Sequence, residues 1–134
     1  MTQTDYLSKV GKVLEQSGWP SDNSPASLLG EWQAFVNLCE GGYPQNIYEY
    51  FNDIRVRERI EVILSAPKLQ VYSECQEYEE NVTLVDRQFE KLTLPDISLS
   101  DRTYWWEKCV LRYAGRELVA DLFERYRIKI DIKE

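Results

Sequence analysis

The chain has 134 residues, 43% hydrophobic and 29% charged, with a net charge of −7. That balance predicts a globular chain, not a disordered one, and the length suits one domain, 1–134, around a single core. No apolar run in the sequence approaches the roughly 18 residues that span a bilayer, which argues against a membrane-spanning helix, and MTQTDYLSKVGK shows no basic-then-apolar leader.

In chain order, the first helix is predicted from about Asp5 to Ser17, capped by Thr4 or Thr2, with Leu7, Val10, Val13 and Leu14 as its apolar stripe. Gly18 followed by Trp19-Pro20 reads as a helix stop. Ser24 is placed to cap a second helix with Pro25 at its first position, and Leu28, Leu29, Trp32, Phe35, Val36 and Cys39 recur at helical spacing until Gly41-Gly42. Ile47, Phe51 and Ile54 then share a face, but Val56, Ile60, Ile63 and Leu64 run out of phase with them. The slip near Asn52-Asp53 predicts either two short helices with a cap or one bent helix. After Ser65-Ala66-Pro67 a new helix is expected to begin at once, as an antiparallel neighbour. Its seam is Val71, Cys75, Tyr78, Val82, Val85, Phe89 and Leu92, stepping by four and three in turn. Its outer side carries Glu74, Glu77, Glu79 and Glu80 with no basic residue between Gln70 and Val85, which predicts a solvated acidic face.

TLPDISLSDR reads as a loop. Ser98 or Ser100 is expected to cap a short helix holding Tyr104, Trp105, Trp106, Cys109 and Val110, and a further helix carries Leu118, Val119, Leu122, Phe123 and Tyr126. Ile128, Ile130 and Ile132 alternate with charges, which is strand periodicity without an evident partner strand. The fold class is therefore all-α, a bundle of about five to six helices with one short C-terminal strand.

The chemistry on offer is narrow. The chain has no histidine, which removes Ser-His-Asp and Cys-His catalysis, histidine bases and the Glu-x-x-His di-iron bundle. Cys39, Cys75 and Cys109 are too far apart in sequence for a Cys-x-x-Cys zinc knuckle, and read as reduced, buried thiols of a cytoplasmic protein. No Gly-rich phosphate loop is present. No metal and no cofactor is expected. Acids are plentiful and paired carboxylates are a route to an enzyme, but nothing in the spacing of Glu77, Glu79 and Glu80 separates a catalytic dyad from a solvated face. Charge is uneven: residues 102–134 carry a net +2 and residues 1–101 a net −9. An acidic body disfavours a nucleic-acid backbone and favours a basic partner.

Surface residues then carry the functional reading. In NIYEYFNDIRVRER, Ile47, Phe51 and Ile54 are expected inside. Tyr48, Glu49, Asp53, Arg55 and Arg57 are expected outside, Tyr50 at the boundary, and Arg57–Glu61 as an i,i+4 pair. Tyrosine and arginine join apolar area to a polar end, as binding anchors do. The bland alternative is an amphipathic helix whose tyrosines cover a bundle edge. Trp105 and Trp106 diverge by about 100° on a helix, so one is expected inside and the other partly exposed. The candidate interface is thus Tyr48, Glu49, Tyr50, Asp53, Arg55, Arg57, Glu74, Glu77, Trp105 and Trp106.

Three patches, EWQAFVNLCEGGYPQNIYEYFNDIRVRERIE, DRTYWWEKCV and YAGRELVADLFERYRIKI, together resemble a group of small acidic bacterial proteins with no agreed activity. In size, acidity and lack of catalytic groups the chain is also similar in style to toxin-neutralising immunity proteins, a likeness that transfers no residue. These considerations predict a non-enzymatic module that binds another protein, in its sharpest form an inhibitor of a basic toxin. The alternatives are a small structural or regulatory subunit, homodimeric through the 71–92 seam, and a carboxylate-based hydrolase. Neither nucleic acid nor membrane is expected as a partner.

Overall fold

A computed structural model describes residues 3–20 and 23–134, and it is mostly helical. The elements are α1 (Gln3–Gln16), α2 (Pro25–Glu40), α3 (Ile47–Asp53), α4 (Val56–Leu64), α5 (Ser73–Lys91), α6 (Trp105–Lys108), β1 (Tyr113–Ala114), α7 (Arg116–Tyr126) and β2 (Asp131–Ile132). Among the described residues no helix is long and apolar enough to cross a membrane. Contacts divide the chain into two compact units, Met1–Gln33 with Val56–Asp86, and Ala34–Arg55 with Arg87–Glu134.

In the first unit, α1 packs on α4. Its buried face is Tyr6, Val10 and Leu14, at strict four-residue spacing. Leu7, expected on that face, is 44% exposed, because a stripe through Tyr6 turns it outward. The expected cap at Thr2 lies outside the described residues, and Thr4 falls within the helix. The stop is as read: Gly18 takes φ +87°, Trp19 N–H reaches Leu14 O at 2.9 Å and Gly18 N–H reaches Glu15 O at 3.1 Å. That bond pair needs a left-handed residue, which glycine adopts without steric cost. Ser24 caps α2 in a reciprocal pair: its Oγ accepts from Ser27 N–H and Ser27 Oγ accepts from Ser24 N–H, both at 3.1 Å.

The helix expected straight after Pro67 does not form there. Residues 66–72 make successive tight turns, with Leu69 N–H to Ala66 O at 3.0 Å and Tyr72 N–H to Leu69 O at 3.1 Å. Three-residue spacing sends Leu69 and Tyr72 inside and leaves Val71 67% exposed. Gln70 Nε2 donates to Leu64 O at 3.2 Å, closing the end of α4, and α5 begins only at Ser73. From there the seam holds through Cys75, Tyr78, Val82, Val85 and Phe89, all buried, but stops short of Leu92, which is half-buried just past the end of α5. The phase slip is real and resolves as two helices, α3 and α4, parted at Ile54–Arg55, just beyond Asn52-Asp53.

The second unit is built on an aromatic cluster. Phe35, Tyr43 and Tyr50 meet with ring centroids 5.3–5.8 Å apart, and Phe51 lies 5.4 Å from Tyr50. Tilted and edge-on rings pack the ring quadrupoles favourably. The C-terminal strand does have a partner: β2 pairs parallel with β1, Tyr113 opposite Asp131 and Ala114 opposite Ile132. A parallel pair needs a crossover, and α7 supplies it. A two-residue strand at 113–114 is too short to announce itself by alternation. Gly42 closes α2 at φ +98°, and a Cβ there would run into the Lys133 carbonyl. Neither Ser98 nor Ser100 caps α6, which starts later, after Tyr104, and spans only four residues; Cys109 is already extended.

Candidate functional site

The opening of α3 is fixed from two directions. Asn46 Oδ1 accepts from Glu49 N–H at 2.9 Å, and Asp121 Oδ2, from α7, accepts from Ile47 N–H at 3.0 Å. Two of the helix's orphan donors are thereby satisfied. With Ile47, Tyr50, Phe51 and Ile54 buried, Tyr48 is turned outward and is 68% exposed. It is held there: Arg125 Nη2 donates to its hydroxyl at 2.9 Å, and the same guanidinium lies 4.9 Å from its ring centroid. Glu49, Asn52 and Arg55 are exposed beside it on the chain. Arg125 went unselected from sequence, because nothing in ERYR says which arginine meets a tyrosine 77 positions earlier.

Three of the candidates in this stretch are not surface groups. Tyr50 is 4% exposed, since it completes the aromatic cluster, and its hydroxyl has no partner among the described residues. Burial holds that phenol's pKa well above its usual value. Asp53 is half-buried and accepts from the Tyr43 hydroxyl at 2.6 Å, so it serves the interior and does not cap α4. Arg57, in the first unit, is 4% exposed. Its Nε and Nη2 grip both oxygens of Asp86 at 2.9 and 3.0 Å, and its Nη1 reaches Glu61 at 3.0 Å. Trp32 Nε1 also donates to Asp86, at 2.9 Å. The i,i+4 pair with Glu61 is present, but as the outer half of a buried network.

Glu74 and Glu77 stand in the first unit at a cleft of about 440 Å³, whose walls include Tyr6, Leu29, Tyr78 and Asn81. Glu77 is exposed and Glu74 half-buried. In the second unit, Trp106 is 2% exposed and stacks on Tyr104 at 4.6 Å, while Trp105 is half-buried and meets Trp106 edge-on at 5.7 Å. The two tryptophans divide as their spacing predicts. Trp105 borders another cleft, of about 460 Å³, together with Lys108, Cys109 and Arg112. Among the described residues no three cysteine, aspartate or glutamate side chains converge as metal ligands would. Of the candidates, Tyr48 and Glu49 are exposed on α3 and Arg55 in the turn after it, in the second unit, while Glu74 and Glu77 edge a cleft within the first unit.

The thiols also differ from one another. Cys39 and Cys75 are buried as expected, but Cys109 is half-buried, because the chain leaves the helix at that residue and turns its side chain toward the cleft. Burial pushes all three thiols up, and a Thr93 hydrogen bond partly offsets this at Cys109. A maleimide at neutral pH should label native protein slowly and at one site, Cys109, with Cys39 and Cys75 reacting only after unfolding. Peptide mapping by mass spectrometry reads this directly, and rapid native labelling of Cys39 or Cys75 would contradict the packing described above.

No family model, curated protein or solved structure matches this chain.

Proposed function

We propose that this protein is a non-enzymatic module that binds another protein through the surface around Tyr48. The observation that carries the reading is the state of Tyr48: 68% exposed, yet fixed by Arg125 through both a hydrogen bond and a ring contact. An exposed aromatic that is already immobilised loses little conformational entropy when a partner covers it. Glu49 and Arg55 beside it supply charges that can set orientation. The net charge of −7 favours a basic partner, and the sharpest form of the proposal is an immunity-like inhibitor of a basic toxin. Lack of histidine supports a non-enzymatic role without a cofactor, and three free thiols suit the cytoplasm. Neither nucleic acid nor membrane is proposed as a partner. The seam residues Cys75 to Phe89 are buried in the chain itself, which disfavours a homodimer through them.

The test is a pair of variants. Tyr48→Ala gives up an exposed cation–π contact and a surface hydrogen bond, about 1 kcal/mol of stability. Arg55→Ala should cost within about 0.5 kcal/mol. As binding anchors, each should cost 2 kcal/mol or more of affinity, roughly thirtyfold. The tagged native chain, purified from the cells that encode it, is expected to retain a stoichiometric partner that both folded variants lose. Retention by both variants would place the interface elsewhere.

A further inference from the structure

The C-terminal strand leaves one edge of its sheet open. Asp131 N–H donates to Arg112 O at 3.3 Å and Lys133 N–H to Ala114 O at 2.8 Å, so both point at β1. Strand alternation then turns the N–H and C=O of Ile130 and Ile132 to the other side, where they meet no hydrogen-bond partner among the described residues. Asp131, Ile132 and Lys133 are all exposed. Beside the strand, a cleft of about 510 Å³ is walled by Val119, Ala120 and Phe123 of α7, and Phe123 is itself exposed. All of this lies within the second unit. A strand edge with unpaired backbone groups and an apolar flank is a template for another strand.

Such edges are commonly blunted by charge, above all by lysine. Here the charges alternate in sign instead. Lys129, Asp131 and Lys133 follow one another on one face of the strand, with Ile130 and Ile132 on the other. Lys129 and Asp131 are exposed, and neither is ion-paired with any described residue. In a second, antiparallel copy of this edge, Ile130 and Ile132 must face each other or themselves, since they present the bonding groups. Pairing Ile130 with Ile132 sets Asp131 against Asp131 and Lys129 against Lys133, and like charges directly opposite repel. Pairing Ile132 with itself sets Ile130 against Glu134. Pairing Ile130 with itself sets Lys129 against Asp131 on both sides of the axis, and Ile128 against Ile132. Lys133 would then meet Arg127, but Arg127 lies outside the strand at φ +59°, and Lys133 Nζ is turned back to Glu40 O.

We infer that the outer edge of β2 binds the same edge of a second copy, antiparallel about a two-fold axis at Ile130, with reciprocal Lys129–Asp131 pairs. A two-fold contact is closed, so association stops at the dimer. The strands are short and the contact small, so the dimer is weak, half-formed on the order of 100 μM. None of these residues belongs to the Tyr48 surface, and the inference does not rest on the function proposed above.

Sedimentation velocity of the full chain at low salt, from about 10 μM to about 1 mM, is the test. The average mass should rise from one chain toward two and no further. Lys129→Glu and Asp131→Lys change exposed side chains and should keep the helical circular dichroism. Each should weaken self-association about tenfold or more, because acid then opposes acid, or base opposes base, at both symmetric places. An equimolar mixture of the two variants should regain the dimer, since opposite charges then meet across both pairs. The mass of a single chain throughout overturns the inference, as does a dimer that both single variants keep at native strength. A mixture that stays monomeric overturns the register. Tyr48→Ala should dimerise like the native chain while losing its captured partner, so the two readings fail separately; loss of the dimer in that variant would move the contact to the other surface and overturn this one.

Discussion

Arg57→Met should cost about 3–5 kcal/mol of stability, the range typical of removing one partner from a buried ion pair. The cost arises at Asp86, not at Arg57. The two side chains are 13% and 4% exposed and joined by two parallel bonds of 2.9 and 3.0 Å. Without the guanidinium, the Asp86 carboxylate keeps only the Trp32 indole donor among these bonds while staying out of water. Methionine restores much of the volume, so the loss reports charge and hydrogen bonding more than a cavity. Arg57→Lys should recover less than half, because an ammonium cannot reproduce the planar fork. Glu61, the outer partner at 38% exposure, should matter little: Glu61→Gln is expected to cost under about 1 kcal/mol. Urea unfolding of the four proteins reads these differences as midpoint shifts at constant slope. Equal, small losses for Arg57→Met and Glu61→Gln would mean that Arg57 is an ordinary surface cation.

Arg57 also explains what sequence periodicity can and cannot convey. The stripe Val56–Ile60–Ile63 was legible, and Arg57 falls next to it, where an exposed i,i+4 partner is the natural expectation. Its burial depends on Asp86, 29 positions away, and no local pattern encodes that meeting. Tyr50 and Asp53 failed for the same reason. Tyr50 lies one position from Phe51, and only the presence of Phe35 and Tyr43 decides that both adjacent rings are covered. Helix ends written in local chemistry were legible: Ser24-Pro25, Gly18-Trp19 and Gly42 all close or open helices as read. Ends set by turn geometry were not, since the turns at 66–72 keep an apolar spacing of three that a helix also allows. In the same way Tyr6 could have been reached by extending the Val10–Leu14 step back by four, whereas Leu7 competed for that place with equal hydrophobicity. The acidic residues Glu74 and Glu77 were legible as a charged face. Their place on a cleft lined also by Tyr6 and Tyr78 was not, because Tyr6 comes from 68 positions before Glu74.

Raising the pH above about 10 should unfold the protein in one cooperative step. Four phenols, Tyr6, Tyr43, Tyr50 and Tyr78, are held above their ordinary value of about 10, each first of all by burial. Tyr43 is raised further by its hydrogen bond to Asp53. The folded state thus keeps these protons and the unfolded chain gives them up. Their contribution is fully present below pH 10 and is lost as pH rises toward the folded values, about 12 for Tyr6. Each such group removes about 1.4 kcal/mol per pH unit in that window, so four remove roughly 5 kcal/mol per unit. The thiols Cys39, Cys75 and Cys109, also raised, start the decline about one unit earlier. A typical stability of about 5–15 kcal/mol is exhausted within one to three units. Tyrosinate absorbance and loss of helical circular dichroism should therefore rise and fall together. Tyr50→Phe separates this mechanism from general charge repulsion. It removes a buried hydroxyl that has no partner among the described residues, so neutral-pH stability should hold or increase while the alkaline midpoint moves up. Tyr43→Phe should do the opposite at neutral pH, since Asp53 loses its 2.6 Å donor. If helicity persists after tyrosinate absorbance is complete, the four phenols are not buried as described.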